Sequence, residues 1–323
     1  MSIVKNYSVY GFFQEFNKQP YLSNDNIGFI HISDIVPEQT VEDIKEVVLK
    51  SSKIVVILLQ TKHCVHIFAE RVVPHLNKPY IVISCMEDHI FPLEIIEPVQ
   101  EIYNEILTNT TNTTNKSYMR HWFAVNKEPP DSLFITSIPY GLDYWTLTKR
   151  KLWANTPIQT ALEQDATMTK LRNSIVPFTK RLPIIYTNYH FNMGGNSTIE
   201  RHTTLSTIPD ELTDREEFMI NRYETWGKYT QYAFVASPRG NGYDAIRTWE
   251  ALMLGCIVII RRYQHCGMNI LYDNLPVLIV ENWTDITREL LDQTIIDFSK
   301  REFQYEKLTM KYWIDKVYQA FER

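Results

Sequence analysis

Residues 237–260, SPRGNGYDAIRTWEALMLGCIVII, have the pattern of a turn, a helix and an apolar strand, and they follow the strand-like residues 232–236. Strand, turn, helix and strand in succession form the repeating unit of parallel α/β sheets. Gly240 and Gly242 suit a turn that a ligand can approach closely, because glycine has no Cβ and adopts unusual backbone angles. This stretch therefore predicts a parallel sheet with a ligand-binding loop at its carboxyl edge.

The opening of the helix carries residues that suit a nucleotide. We expect the helix to begin near Tyr243 or Asp244, where its free N–H groups and its dipole favour an anion. Arg247 then lies in the first turn, and a guanidinium binds phosphate oxygens in bidentate fashion. Glu250 lies on the same face and suits ribose hydroxyls, although a plain surface pair of Arg247 with Glu250 is the alternative. The predicted nucleotide-binding residues are Ser237, Arg239, Gly240, Asn241, Gly242, Arg247 and Glu250.

The rest of the chain also alternates strands and helices. Residues 53–59 and 80–85 have the pattern of buried strands, with helix-period segments between them. A second α/β unit starts near Arg181, and we expect one long helix over residues 210–232. The predicted domains are residues 1–180 and residues 181–300, with a final helix at residues 301–323 that packs back towards the first domain.

Composition and charge exclude several classes of protein. The 323 residues are 44% hydrophobic and 22% charged, as in globular proteins, and the net charge of −5 argues against general nucleic-acid binding. The apolar stretch at residues 251–260 is half the length of a membrane-spanning helix. The N-terminal sequence is a poor signal peptide, and four cysteines are too few for a disulfide framework. We therefore expect a cytoplasmic protein without a transmembrane segment.

Beyond these general features, residues 237–283 resemble the C-terminal motif of the exostosin-like glycosyltransferases, in particular the members from large DNA viruses and algae. Val258 departs from the family, which usually has proline at this position. Two further stretches, residues 120–147 and 80–92, agree with the family more loosely, so that the resemblance spans residues 80–285. The residues that match the C-terminal motif are Ser237, Pro238, Gly240, Gly242, Asp244, Arg247, Trp249, Glu250, Ala251, Gly255 and Ile257.

The resemblance implies a GT-B glycosyltransferase fold, in which two Rossmann-like domains face each other across a cleft. It implies an inverting transferase that binds a nucleotide sugar on the C-terminal domain and a glycan or glycoprotein acceptor mainly on the N-terminal domain. UDP-sugars are the expected donors, with UDP-xylose as one candidate, and no metal or other cofactor is expected. A viral capsid glycoprotein is one acceptor that such an enzyme would modify.

Further site residues are predicted from the matched stretches and from the tract at residues 188–202. Asp88, just after the strand at residues 80–85, is the expected catalytic base, with Glu87, His89 or Asp143 as the alternatives. Arg201 is expected to be a second phosphate ligand of the donor. The predicted acceptor-binding residues are Asp143, Tyr144 and His190.

Two other functions remain open at this point. Gly240, Gly242 and Ala245 match the dinucleotide fingerprint, but no acidic residue ends the next strand, where Arg261 and Arg262 suit only a 2′-phosphate. An NADP-dependent oxidoreductase is therefore one alternative. A non-catalytic, glycan-binding relative of the transferases is the other.

Overall fold

The fold is described from a computed structural model, which covers residues 5–6, 28–32, 41–51, 55–59, 62–84, 118–126, 134–149, 151–191, 195–263 and 268–320. Within these ranges the chain forms an α/β fold with two parallel sheets of five strands each. This confirms the prediction of parallel α/β sheets. In the same ranges, no helix is both long enough and apolar enough to cross a bilayer.

The first sheet contains strands β1 to β5, which pair in parallel and in chain order. Ile44 and Val48 of the adjoining helix α1 are buried in the core of this unit, as their helical spacing indicates. The strands span Gly28–Ile32, Val55–Leu59, Tyr80–Ser84, Met119–Ala124 and Ile135–Ser137. The helices are α1 (Val41–Lys50) and α2 (Lys62–Ile67), and α2 continues as a π-helical turn at Phe68–Val72 and a 3₁₀ turn at Val73–His75.

The second sheet has the order β10-β9-β8-β6-β7, with every neighbouring pair parallel. Its strands span Leu182–Tyr186 (β6), Thr213–Asp214 (β7), Tyr232–Ala236 (β8), Ile257–Arg261 (β9) and Val277–Val280 (β10). From the β7 edge the order is second, first, third, fourth, fifth, which is a doubly wound arrangement. The strand order reverses between β6 and β8. Ligands of such sheets bind at this topological switch point, beyond the carboxyl ends of the strands.

Helices connect these strands and flank them. They are α3 (Thr146–Lys149), α4 (Ala161–Asn173), α5 (Gly195–Thr207), α6 (Arg222–Tyr229), α7 (Ile246–Met253), α8 (Met268–Tyr272), α9 (Arg288–Phe298) and α10 (Met310–Ala320). Short 3₁₀ turns lie at Phe178–Lys180, Asp210–Leu212, Trp283–Asp285 and Tyr305–Leu308.

The long helix predicted over residues 210–232 is wrong. Residues Thr213–Asp214 form the edge strand β7, which pairs with Ile185 and Tyr186 of β6. Helix α6 begins only after Asn221, whose side chain accepts a hydrogen bond from the N–H of Glu224. Only the part of this stretch that forms α6 is an α-helix. Before α6, the pairing of Thr213 and Asp214 with β6 replaces the predicted helix with a strand.

Contacts divide the chain into two units. The first sheet lies in the unit formed by Phe12–Tyr140, His265–Leu271 and Lys311–Arg323, and the second sheet lies in the unit formed by Met1–Gly11, Gly141–Gln264 and Tyr272–Met310. The division therefore falls near residue 140, whereas the sequence suggests residue 180. Asp165 of α4 helps to explain the difference, because its carboxylate accepts hydrogen bonds from the N–H groups of Lys5 and Asn6, from the Asn6 side chain and from the Tyr144 hydroxyl.

Helix α7 begins two or three residues later than predicted. Ala245 is its N-cap residue and has an extended backbone. The carboxylate of Asp244 accepts hydrogen bonds from Trp249 Nε1 at 2.6 Å and from the Tyr272 hydroxyl at 3.2 Å, which holds the turn in place before the helix. Arg247 nevertheless lies in the first turn of the helix, as the sequence predicts.

The C-terminus of α7 depends on Gly255, which has a φ of +75°. The N–H of Cys256 donates to the carbonyl of Ala251 at 2.9 Å, the long hydrogen bond of a Schellman motif. A Cβ at position 255 would lie 2.8 Å from both Arg181 Nη2 and Ile175 Cδ1. Backbone angle and packing therefore both require glycine here, which confirms the predicted end of the helix.

Candidate functional site

Two arginines meet at the switch point of the second sheet. Arg201 of α5 donates to the carbonyl of His190 in the loop after β6, and also to the carbonyl of Arg239 in the loop after β8, at 3.3 Å. Arg247 donates to the carbonyl of Pro238 at 3.4 Å. Each guanidinium carries five N–H groups, and these contacts use two of those on Arg201 and one of those on Arg247. The two arginines therefore hold the two loops together and keep further donors for a ligand. We call this place the switch-point crevice.

The switch-point crevice has a positive charge that is not neutralised within it. The guanidinium carbons of Arg201 and Arg247 lie 5.9 Å and 5.0 Å from the centre of the Tyr189 ring. Among the residues that the structure describes, neither arginine forms a salt bridge with a carboxylate. Burial lowers the pKa of Arg201, and the neighbouring charge of Arg247 lowers it further, to about 9. Two neighbouring cations in a partly desolvated crevice favour the binding of an anion.

His190 contributes a third nitrogen group beside these arginines. Its side chain is half-buried. Burial lowers the pKa of His190, and the charges of Arg201 and Arg247 lower it further. His190 is therefore expected to be neutral near pH 7, and a bound anion would favour its protonation. The structure brings His190 together with the predicted phosphate ligands.

The turn between β8 and α7 is fixed by contacts from several elements. Ser237 is buried, and its hydroxyl lies 2.8 Å from that of Thr248. The carbonyl of Gly240 accepts a hydrogen bond from the Ser197 hydroxyl in the first turn of α5, at 2.6 Å. Arg239 places its guanidinium 4.0 Å from the centre of the Tyr243 ring. Asn241 is exposed and Gly242 is buried in the same turn. These contacts tie the turn to α5 and α7.

Glu250 has a partner that the sequence did not indicate. Its Oε1 atom lies 2.7 Å from Arg222 Nε and 2.6 Å from Arg222 Nη2, and both side chains are buried. Burial by itself would lower the pKa of Arg222, but the charges of Glu250 and Asp143 outweigh it and raise that pKa. The suggested surface pair between Glu250 and Arg247 is therefore wrong. The predicted ribose contact depends on the second carboxylate oxygen, Oε2.

The predicted acceptor residues Asp143 and Tyr144 have structural contacts. The Asp143 carboxylate is buried and accepts hydrogen bonds from the N–H groups of Trp145 and Thr146 at 3.0 Å and 2.9 Å, which caps α3. Tyr144 is fully buried and its hydroxyl donates to Asp165 at 2.9 Å. A fully buried ring has no face on which a sugar can stack, so the acceptor role of Tyr144 is corrected to a packing role. The contacts of Asp143 likewise make it a helix cap in this structure.

The predicted base lies outside the described residues. Residues 85–117 lie outside the described ranges, so the roles of Asp88, Glu87 and His89 stay predictions. In the part of the chain that is described, no group of three or more His, Cys, Asp or Glu side chains has an arrangement that suits a metal ion.

Several residues of the site were not anticipated from the sequence. Tyr189 lies near both arginines, and its position next to the predicted residue His190 was the only sequence signal for it. The sequence gives no signal that Arg222 binds Glu250, because the two residues are 28 positions apart. Glu200, the neighbour of Arg201, accepts a hydrogen bond from the Tyr263 hydroxyl at 2.8 Å, and this hydroxyl accepts one from the N–H of Arg239 at 3.1 Å. These residues hold the loops of the site in place.

Comparison with known proteins adds no family assignment: no protein-family model matches the chain, and no curated protein matches it.

Proposed function

We propose that this protein is an inverting glycosyltransferase of GT-B fold, which transfers a sugar from a nucleotide diphosphate donor to a glycan hydroxyl. The observation that supports the proposal most directly is the pair of Arg201 and Arg247 at the switch point of a doubly wound sheet. This pair supplies two guanidinium groups where such folds bind phosphates. The resemblance of residues 237–283 to the exostosin-like transferases supplies the reaction class.

In the proposed reaction, the acceptor hydroxyl attacks C1 of the donor sugar while the bond from C1 to the diphosphate oxygen breaks. The proton of the hydroxyl passes to a general base, for which Asp88 is the candidate. The electron pair of the broken bond leaves with the nucleoside diphosphate. Arg201 and Arg247 would stabilise this developing charge, as donors aimed at a leaving group do in other enzymes.

The remaining donor residues fit the same proposal. Gly240, which is partly exposed, allows the phosphates to approach the backbone of the turn, whereas Gly242 is buried. Glu250, oriented by Arg222 through Oε1, would accept a hydrogen bond from a ribose hydroxyl at Oε2. UDP is the proposed nucleotide on the grounds of the resemblance, with UDP-xylose among the candidate donors.

The oxidoreductase alternative has less support. The arginines that would bind a 2′-phosphate are both engaged, Arg261 with Glu200 at 3.1 Å and Arg262 with Glu281 at 2.6 Å. The glycine turn also follows β8, the third strand of its sheet in chain order, whereas the dinucleotide fingerprint follows the first strand.

Calorimetric titration with UDP tests the proposed donor site. Arg247→Gln should weaken UDP binding about 10- to 100-fold, because hydrogen bonds to charged groups contribute about 1.5–3 kcal/mol. Arg262→Gln is the matched control, since this exposed arginine is paired with Glu281 and should leave UDP affinity unchanged. Equal binding of UDP by wild type and Arg247→Gln would remove Arg247 from the site.

Donor turnover tests the reaction class. UDP-activated xylose, galactose, glucuronic acid, N-acetylglucosamine and arabinose should be screened for thermal stabilisation and for release of UDP. A donor at one hundred times its Kd stabilises a protein by about 2.7 kcal/mol, which is readily detected. A protein that is stabilised by NADP and by none of these donors would be an oxidoreductase instead. A protein that binds glycans but releases no UDP would be a non-catalytic relative.

A further inference from the structure

The end of strand β7 lies beside the switch-point crevice and is followed by Arg215. The carbonyl of Asp214, the last residue of β7, accepts hydrogen bonds from the N–H of Thr187 at 2.9 Å and from the Thr187 hydroxyl at 3.3 Å. Thr187 is the first residue after β6, two positions before Tyr189, whose ring lies near both arginines of the crevice. Parallel strands end at the same edge of a sheet, so Arg215 leaves the sheet at the edge that carries the crevice.

The two carboxylates next to Arg215 in the chain lie on one face of the sheet. Asp214 accepts a hydrogen bond from the Tyr232 hydroxyl, and Glu216 is paired with Lys228 of α6 at 2.8 Å. Successive side chains at the end of a strand point to opposite faces, so Arg215 lies on the other face from these two carboxylates. They therefore leave the charge of Arg215 without a partner.

Helix α5 lies on the same face as Arg215. The connections from β6 through α5 to β7 and from β7 through α6 to β8 run in opposite directions across the sheet. Because such connections are right-handed, α5 and α6 cover opposite faces. Glu216 contacts α6, so Arg215 lies on the side of α5, the helix that carries Arg201.

The charge of Arg215 acts on the same ring as the charges of the two crevice arginines. Burial raises the pKa of Tyr189, and the positive charges of Arg247, Arg201 and Arg215 oppose that rise. The side chain of Arg215 is exposed, and it forms no salt bridge with a carboxylate among the residues that the structure describes. Its guanidinium is therefore available to an anion in the crevice.

We propose that Arg215 is a third phosphate-binding residue of the switch-point crevice and that it binds the terminal phosphate of a nucleoside diphosphate. This inference rests on the proposed donor site, in which Glu250 binds the ribose and Arg247 binds phosphate. Strand β6 lies between β7 and β8, so the strand ends that lead to Arg215 and to α7 are about 10 Å apart. A ligand whose ribose lies at α7 therefore reaches Arg215 with the outer of its two phosphates.

The charge of the ligand supports the same choice. A terminal phosphate carries about −1.5 to −2 charges at pH 7, and the inner phosphate of a diphosphate adds about one more negative charge. Arg201 and Arg247 match a single terminal phosphate, and Arg215 brings the crevice to three positive charges. Arg215 therefore makes the crevice prefer nucleoside diphosphates over monophosphates.

Calorimetric titration of the full-length protein with UDP and with UMP tests this role. Wild type should bind UDP at least about tenfold more tightly than UMP. Arg215→Gln should weaken UDP binding about five- to twentyfold, because it removes a charge-assisted bond to the terminal phosphate, and should change UMP binding less than about twofold. Arg215→Lys should keep part of the UDP affinity, since it retains the charge but not the bidentate geometry. Equal losses for UDP and UMP in Arg215→Gln, or no loss for UDP, would overturn the role of Arg215.

Arg262→Gln is the matched control for net charge. It removes the same charge from an exposed arginine that follows β9 at the same edge of the sheet, where Arg262 is paired with Glu281. Both nucleotide affinities should stay unchanged in this variant. A loss of UDP affinity as large as that of Arg215→Gln would show a general effect of charge and would contradict the proposal.

Arg247→Gln separates this inference from the proposed donor site. It should weaken binding of both UDP and UMP, because Arg247 lies at α7, next to the proposed ribose contact. If Arg247→Gln weakens both nucleotides and Arg215→Gln weakens neither, the donor site stands and the role of Arg215 is wrong. If wild type binds neither nucleotide at millimolar concentration, the donor site itself is wrong, and the role of Arg215 is overturned with it.

Discussion

Replacement of Arg222 by methionine should strongly destabilise the unit that contains the second sheet. The change removes the hydrogen bond from Arg222 Nε and the ion-pair contact from Arg222 Nη2 to Glu250 Oε1, and it leaves that carboxylate buried without its cation. It also removes the 2.6 Å hydrogen bond from Arg222 Nη1 to the carbonyl of Asp143. Loss of one partner of a buried ion pair costs about 3–5 kcal/mol. We therefore expect the free energy of unfolding to fall by about 4 kcal/mol.

Urea unfolding at neutral pH measures this change through a lower midpoint at constant slope. Arg262→Met is the matched control, because its pair with Glu281 is exposed and should contribute less than about 1 kcal/mol. The double variant Arg222→Met, Glu250→Leu should recover part of the loss, since it removes the unpaired charge as well. A loss below about 1.5 kcal/mol in Arg222→Met, or no recovery in the double variant, would refute the reasoning.

Gly255→Ala should lower the free energy of unfolding by more than about 1 kcal/mol, because the residue has a positive φ and its new Cβ would meet side-chain atoms at 2.8 Å. Gly227→Ala, in a helix with open space around the position, should instead raise it by about 0.4–1 kcal/mol in the same urea titration. In an NMR titration His190 should have a pKa below that of an unfolded histidine, and Arg247→Ala should raise it. With a lowered pKa in the folded state, His190 binds its proton more tightly in the unfolded chain. The stabilisation from neutral His190 is therefore complete above the unfolded pKa of about 6.5 and is lost as the pH falls through the pKa of the folded state. Asp88→Asn should slow sugar transfer about 10²- to 10⁴-fold with UDP affinity unchanged, and near wild-type turnover would exclude Asp88 as the base. EDTA should leave transfer intact, and a loss of activity that Mn²⁺ restores would contradict the expected metal independence.

Local sequence patterns were enough to predict several strands and the C-terminal end of α7. The apolar run at residues 80–85 corresponds to β3 at Tyr80–Ser84, and Gly255 ends α7 through its positive φ. These features depend on neighbouring residues, for which spacing and residue type are direct signals. The position of Arg247 in the first turn of α7 followed from the same reasoning.

Long-range contacts were not predictable from these patterns. Glu250 was expected to be free for a ligand, but Arg222 binds it from another helix, 28 positions away. Tyr144 was predicted to contact the acceptor sugar, but its ring is fully buried and its hydroxyl donates to Asp165. The edge strand β7 consists of only two residues, Thr213 and Asp214, too few for a period-2 pattern. In each case the partner in space decides the role, and sequence spacing contains no information about it.

The hydrogen bonds of Asp165 have a practical consequence for dividing the chain into fragments. Lys5 and Asn6 supply three of the four donors to this carboxylate, although they precede the first sheet and Asp165 follows it. A fragment that starts at residue 141 would therefore lose those donors, and one that starts at residue 181 would lose α4 altogether. To retain these contacts, a fragment that contains the second sheet would need residues 1–11 joined through a linker to residue 141. The linker would then replace the residues that form the first sheet.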